Sequence, residues 1–410
     1  MTPSRRMRIL YVNHTGNVSG AERVLVDVLK GLDRNRYEPV LLCPSEGRLG
    51  AEIRALDVAW KPLPTVGARF SLRPDRLLRA VASMGKAVVA LRRQIGELKP
   101  DLVHANTIRS GILATLATLG RGTPVVWHVH DILPKHPLSA AIRLFARSSS
   151  RTHIVAVSHA TAQAFCGGLD FQGRARTIHN GVDLERFPLK ASGASAFRDK
   201  FGIPQSAFLV CAVGQICERK GLRELIDAFE RICKGAPQMH LAIVGAVVFK
   251  HEESYYNTLR EMAADSRCSE RIHFTGELSN VSEVLQGSDL LVLNSSQEPF
   301  GLVLVEAMSS GTPVIATRVG GIPEIVTDQV NGWLVEKGDS IGLASKLLNL
   351  SFDREMLSQV TQVAHQTTCP QFSLQRFHNN LGRLYGEFDS EHVSSYNSAA
   401  KLAFSEHVRP

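Results

Sequence analysis

The sequence predicts an α/β protein of two doubly wound domains, and three observations lead there. Short β-branched apolar runs alternate with longer amphipathic stretches, the pattern of β-α units around parallel sheets. That series runs twice, on either side of a softer stretch from Lys190 to Ser195. The chain has 410 residues, well past the roughly 250 at which a single hydrophobic core stops growing.

The first series places strands at 8–12, 38–43, 58–63, 102–104, 125–128, 153–157 and 175–178. Helices fill 21–32, 49–56, 75–98, 109–119, 139–147 and 159–165 between them. The second places strands at 208–213, 240–244, 271–275, 290–294, 314–316 and 333–335, several followed by glycine turns. The expected domains are therefore 1–190 and 191–370. A helix at 371–388 is expected to cross back to the first domain, and a weakly ordered tail, rich in Ser390, Ser394, Ser395, Asn397 and Ser398, to end the chain from 389 to 410. Open α/β sheets bind ligands outside the carboxyl ends of their strands, so a site in a cleft where the two domains face each other is the expectation.

Composition narrows the class. Hydrophobic residues at 44% and charged residues at 21% describe a globular chain and exclude a disordered one. Seven scattered cysteines without a C-x-x-C pair argue against a disulfide framework or structural zinc and for a reducing compartment. The start, Met1 to Arg6, has no apolar leader, and no apolar run approaches the roughly 18 residues of a spanning helix. A cytoplasmic protein is expected, able to sit at the inner face of the membrane.

Charge divides unevenly. Residues 1–190 carry 28 Lys and Arg against 14 Asp and Glu, a net +14, whereas 191–410 carry 19 against 25, a net −6. The basic groups include Arg69, Arg73, Arg76, Arg79, Lys86, Arg92 and Arg93, then Arg143, Arg147 and Arg151. Such a half can attract an anionic membrane surface, or it can be a solvated face without a partner.

The strongest motif runs from Asn294 to Met308, Asn-Ser-Ser-Gln-Glu-Pro-Phe-Gly-Leu-Val-Leu-Val-Glu-Ala-Met. A buried strand ends at Asn294, a polar turn follows, and a helix is expected to start near Phe300 or Gly301. Free amides at a helix start beside a strand terminus suit a phosphate or a sugar hydroxyl. Glu298 lies ahead of the helix and can accept from sugar hydroxyls. Glu306 lies within it, among apolar neighbours where an unpaired carboxylate is costly, and can accept from a ribose diol.

This stretch resembles the Glu-x7-Glu signature of retaining GT-B glycosyltransferases, family 4 or group 1, which include sucrose-phosphate synthases, mannosyltransferases and bacterial polysaccharide glycosyltransferases. The continuation Gly311 to Val326, then Asn331-Gly332-Trp333-Leu334-Val335, and the upstream pairs Val213-Gly214 and Lys220-Gly221 match the same family, over nearly all of 8–385. The resemblance implies two Rossmann-like domains facing across a cleft, with the nucleotide-sugar on the second and the acceptor on the first. It implies that Lys220 reaches the donor diphosphate, that Gly214, Gln215, Arg219, Pro299, Phe300, Gly301 and Leu302 surround the donor, and that Glu277 and Leu278 lie where the backbone reads the base. Gln215 stands where the family commonly has Arg, and neighbouring Arg219 is the available substitute.

In the first half, Asn17-Val18-Ser19-Gly20-Ala21-Glu22-Arg23 resembles the family's glycine loop, with Ser19 for the first glycine and Gly20 able to approach a phosphate. In Trp127-His128-Val129-His130-Asp131 the two histidines point to one side of a strand. The family places a donor-sugar contact at the end of this strand. His130 is the better match and His128 the alternative. Asn106 and Ser158 end neighbouring strands and are expected at the cleft, and Asn180-Gly181 reads first as a turn.

The sequence holds no Asp-x-Asp pair and no metal-spaced cluster, so transfer without a metal or other cofactor is expected, with the nucleotide-sugar as co-substrate. Retention, with no enzymic nucleophile assigned to Glu298, is what the family implies. A dehydrogenase is set aside by the absence of G-x-G-x-x-G after the first strand. A nucleotide-sugar epimerase of the same architecture and a basic adaptor are the rivals. Only 6% of residues are aromatic and no reading motif is present, so nucleic acid is not an expected partner. The partners expected are a nucleotide-sugar donor, a saccharide or lipid-linked acceptor, and an anionic membrane.

Overall fold

The computed structural model describes residues 5–66, 74–190 and 195–389. Arg69 and Arg73, most of the soft stretch after Lys190, and the serines of the tail lie outside the described residues, as does the side chain of Arg76. The chain divides into two compact units, one of residues up to His179 together with those from Phe377 onward, the other Asn180–Arg376.

The first unit holds a seven-stranded sheet of β1 (Met7–Val12), β2 (Tyr37–Cys43), β3 (Ala59–Pro62), β4 (Leu102–Ala105), β5 (Val125–Val129), β6 (Thr152–Ala156) and β7 (Ala175–Thr177), in the order β3-β2-β1-β4-β5-β6-β7. All its pairings are parallel. The strands read as near-continuous apolar runs because a parallel sheet is covered on both faces. On one face Leu10, Val12, Val103, Ala105, Val125, Trp127 and Val129 form the core with the helices Pro74–Leu98 and Ile108–Ala117. The alternate residues Tyr11, His104 and His128 point to the other face.

The second unit holds six parallel strands, β8 (Phe208–Val213), β9 (Met239–Val244), β10 (Ile272–Gly276), β11 (Leu290–Leu293), β12 (Val314–Thr317) and β13 (Trp333–Val335), in the order β10-β9-β8-β11-β12-β13. Its core gathers Phe208, Val210, Leu225, Phe229, Leu241, Val292, Ile315 and Leu347. The helix Leu222–Ile232 supplies the apolar stripe that covers this sheet, burying Leu222, Leu225, Ile226, Phe229 and Ile232 at helical spacing.

The units divide at His179, ahead of Lys190, because 180–190 bonds into the second unit. Val182 N donates to Phe372 O at 2.9 Å and Lys190 N to Ser310 O at 3.1 Å. Ser309 Oγ donates to Phe187 O at 2.9 Å. The last helix, Leu374–Gly386, is shorter than the expected 371–388. From Phe377 on it belongs to the first unit, burying Phe377, Leu381, Leu384 and Tyr385. His378 Nε2 donates to the Asp27 carbonyl at 2.8 Å, tying it to the helix Gly20–Lys30. No helix among the described residues is long and apolar enough to cross a membrane.

Candidate active site

Strand order reverses between β8 and β11 in the second unit, and such a reversal opens a crevice at the carboxyl ends of the two strands. Two loops meet there. The turn after β8 carries Arg219, Lys220 and Gly221, and the turn after β11 carries Asn294 to Glu298. Asn294 Nδ2 donates to Gly221 O at 2.8 Å, and Ser296 N donates to Arg219 O at 2.7 Å. Gly221 has φ +60°, and a Cβ there would lie 2.0 Å from Asn294 O, so only glycine allows this approach.

The stapled loops bring three charges together. Lys220 Nζ donates to Glu298 Oε2 at 2.7 Å, Ser295 Oγ donates to the same oxygen at 3.0 Å, and Arg219 Nη1 lies 3.7 Å from it. Arg219 Nη1 also donates to Gln297 O at 3.1 Å. Glu298 is 8% exposed. Burial pushes its carboxyl up, but the Lys220 charge and hydrogen bond, then Arg219 and Ser295, outweigh burial and hold it below its ordinary value. Two cations against one carboxylate leave the cluster net positive, and the three partners all meet Oε2. Lys220, Gly214, Gln215 and Asn294 line a concavity at this point.

The helix expected from Phe300 or Gly301 begins at Leu302 and runs to Ser309. Gly301, at φ +103°, is the N-cap, because the chain must turn through a left-handed conformation to enter the helix. Glu306 sits half-buried in its second turn, and Pro299 is half-buried ahead of it. The Phe300 side chain is 2% exposed and packs edge-on against Phe372, 5.5 Å between centroids, so it is a packing group. Gln215 Nε2 donates to Glu252 Oε2 at 2.7 Å, which occupies the amide that stands where the family has Arg. Glu277 and Leu278 follow β10, the first exposed and the second half-buried.

The first unit reverses between β1 and β4, where amides, hydroxyls and imidazoles surround one buried carboxyl group, Glu22, with Arg109 close to His14. Asn106 is fully buried. Its Nδ2 donates to Asn13 Oδ1 at 3.3 Å and to Ala21 O at 3.1 Å, while its Oδ1 has no partner among the described residues. His14 and Thr107 lie beside it, 3.0 Å apart, and burial, then Arg109, lowers the His14 imidazole to about 4. One strand over, the His128 and His130 rings lie 4.1 Å apart, and neither Nε2 has a hydrogen-bond partner among the described residues. Burial lowers His128 to about 3, and burial together with the neighbouring rings depresses His104 and His130. All three are neutral at physiological pH.

Ser158 is the N-cap of the helix His159–Cys166, its Oγ accepting from Thr161 N at 3.0 Å. Gly20 is the first residue of the helix Gly20–Lys30, and a Cβ there would meet nothing within 4 Å. The group that shapes that loop is Glu22, 2% exposed, which accepts from Ser19 N at 3.1 Å and from Asn13 Nδ2 at 3.1 Å. Ser19-x-x-Glu22 is a capping box, a sequence signal that could have found it.

Comparison with known proteins identifies the family. Residues 194–367 match the family described as Glycosyl transferases group 1, and 18–186 match Glycosyltransferase Family 4. The chain belongs to the group 1, family 4 GT-B glycosyltransferases and is an enzyme that transfers sugars. It is 29% identical, over 70% of its length and 74% of the relative's, to the N-acetyl-alpha-D-glucosaminyl L-malate synthase of Bacillus anthracis. It is 23% identical, over 85% and 89%, to the UDP-Gal:alpha-D-GlcNAc-diphosphoundecaprenol alpha-1,3-galactosyltransferase of Escherichia coli. The structure of Anabaena HepE with UDP-glucose superposes with a TM-score of 0.80 at 25% identity, covering 93% of this chain and all of that one. Sucrose-phosphate synthase from Thermosynechococcus elongatus, at 19% identity and a TM-score of 0.75, shares the fold.

Proposed function

We propose that this enzyme moves a sugar from a nucleoside diphosphate sugar to a saccharide or lipid-linked acceptor, with retention of configuration and without a metal ion, in the synthesis of a cell-surface polysaccharide or glycolipid. The observation that carries the reading is the Arg219, Lys220 and Glu298 cluster at the β8/β11 reversal, beside the helix that opens after Gly301.

In this reading Lys220 and the first amides of that helix receive the diphosphate, and Glu298 holds Lys220 in place while its Oε1 accepts from a sugar hydroxyl. Glu306 accepts from the ribose diol, Glu277 and Leu278 border the base, and His130 contacts the transferred sugar. The bond from the anomeric carbon to the phosphate oxygen breaks, the bond to the acceptor oxygen forms on the same face, and the acceptor's proton passes to the departing phosphate. Positive groups fixed before reaction stabilise that leaving charge most effectively in a site that excludes water. A UDP-sugar in the HepE structure and a lipid diphosphate acceptor in the name of the Escherichia coli relative support this choice of substrates.

The same proposal seats the first unit on anionic lipid. Leu138 and Leu144, 42% and 55% exposed, share the helix Pro137–Ser148 with exposed Arg147, and Lys135 precedes it. Apolar and basic side chains on one exposed helix suit an anionic interface.

A thermal-shift screen of nucleotide-sugars in the presence of a chelator, UDP-glucose first, tests the donor. A ligand at a hundredfold its Kd stabilises by about 2.7 kcal/mol. At least one donor is expected to raise Tm, with nucleotide release dependent on acceptor. No response to any donor, or turnover that returns only with a divalent ion, contradicts the proposal.

A further inference from the structure

On the second face of the first sheet, four polar side chains with no exposed surface form one string. The Tyr11 hydroxyl donates to that of Tyr385 at 3.3 Å, the Tyr385 hydroxyl meets His104 Nδ1 at 2.9 Å, and His104 Nε2 meets His128 Nδ1 at 3.3 Å. Tyr11 and His104 are register partners on β1 and β4, and His128 lies on β5. Tyr385 arrives from the opposite end of the sequence on the last helix, which also lays Phe377 against His128, 6.3 Å between centroids.

Proton counting gives the string a direction. Each neutral member carries one mobile proton, so four protons serve three bonds and one is left over. Tyr11 donates into the string, so Tyr385 spends its proton on His104 Nδ1, and His104 spends its own, on Nε2, toward His128 Nδ1. The surplus proton therefore sits on His128 Nε2. That atom is buried and has no acceptor among the described residues, and it belongs to the ring 4.1 Å from His130, whose Nε2 is likewise buried and unpartnered among them. A buried donor without an acceptor is costly, and the cost is recovered when a ligand oxygen takes the bond.

We propose that Tyr11, Tyr385 and His104 are positioning residues that fix His128 as an Nε2–H donor toward a hydroxyl oxygen of the sugar substrate beside His130. The proposal rests on the sugar-transfer reading above. It makes the C-terminal helix a part of the site, since Tyr385 is its only contribution to the string.

Tyr385→Phe keeps the ring and removes the directing proton. With histidine labelled, long-range ¹H–¹⁵N spectra of the full-length wild type are expected to show both His104 and His128 as Nε2–H tautomers, and those of Tyr385→Phe to show a mixture. Kinetically, kcat is expected to fall roughly five- to tenfold, the size of one net hydrogen bond, with KM for the donor within about twofold. His128→Gln, whose amide offers a carbonyl to His104 and an N–H beyond it, is expected to retain more activity than His128→Phe. A wild-type His128 found as the Nδ1–H tautomer, or a Tyr385→Phe enzyme with unchanged kcat, overturns the proposal. A wild type that turns over no nucleotide-sugar defeats the sugar-transfer reading instead, and the tautomer spectra then judge the string by themselves.

Discussion

The two sheets reverse strand order in the same way and put opposite chemistry at the reversal. In the second unit the β8/β11 point holds Arg219 and Lys220 each within 4 Å of Glu298, a net positive cluster. In the first, the β1/β4 point and neighbouring β5 hold amides, a threonine and histidines kept neutral by burial, around the single buried carboxyl group of Glu22 and with Arg109 near His14. One topology therefore offers two kinds of recognition. In the proposed function the fixed cations receive a diphosphate, while the amides and imidazoles meet hydroxyls, which gain little from charge but much from matched hydrogen bonds.

Lys220→Ala is the largest break in that contrast. Losing one group that stabilises a leaving charge costs about 10²–10³ in kcat, and nucleotide release under saturating donor measures it. A variant within threefold of wild type removes Lys220 from the chemistry. Glu306→Ala follows, with donor Kd expected to rise roughly ten- to a hundredfold, the range of a hydrogen bond to a charged group, while Tm stays close to wild type. Wild-type affinity in that variant refutes the ribose assignment.

The neutral side of the contrast predicts a pH dependence of stability. His104, His128 and His130 have folded values below 6.5, so the unfolded chain takes up protons first as pH falls. Their stabilisation is complete above about pH 6.5 and is lost below it, by up to about 1.4 kcal/mol per pH unit for each histidine. Glu298 is also depressed, so its share holds down to the carboxylate range and is lost only as pH falls through its folded value. Urea titrations from pH 8 to 5 should show a steeper decline in the wild type than in His128→Phe, and parallel curves count against neutral histidines. The smallest expected effect is on lipid. Arg147→Ser should weaken sedimentation with anionic vesicles by about fivefold, near 1 kcal/mol per basic residue, and leave neutral vesicles unchanged. Equal binding of the wild type to both vesicle types removes the membrane proposal.

Much of this was legible along the chain because its causes are local. Seven and six strands were readable from apolar runs, and the Asn294 to Met308 stretch showed a strand end, a turn and a helix with carboxylates eight residues apart. Reading was poorest where a residue's partner lies far away in sequence. That Glu298 is clamped by Lys220, 78 residues earlier, follows from loops stapled at Gly221 and Asn294. The packing of the Phe300 side chain against Phe372 was not readable, because that contact is tertiary. The string from Tyr11 to His128 was invisible, since Tyr385 joins His104 across 281 residues. Glu22 is a different case, because its capping box was local and readable.

Calorimetric titration of uridine diphosphate, in chelator, into the wild type, Lys220→Ala and His128→Phe tests the division of labour most directly. The account predicts affinity weakened at least tenfold in Lys220→Ala and left as wild type in His128→Phe. Equal affinity in all three, or loss in His128→Phe alone, would contradict a diphosphate held by the cations of the second unit.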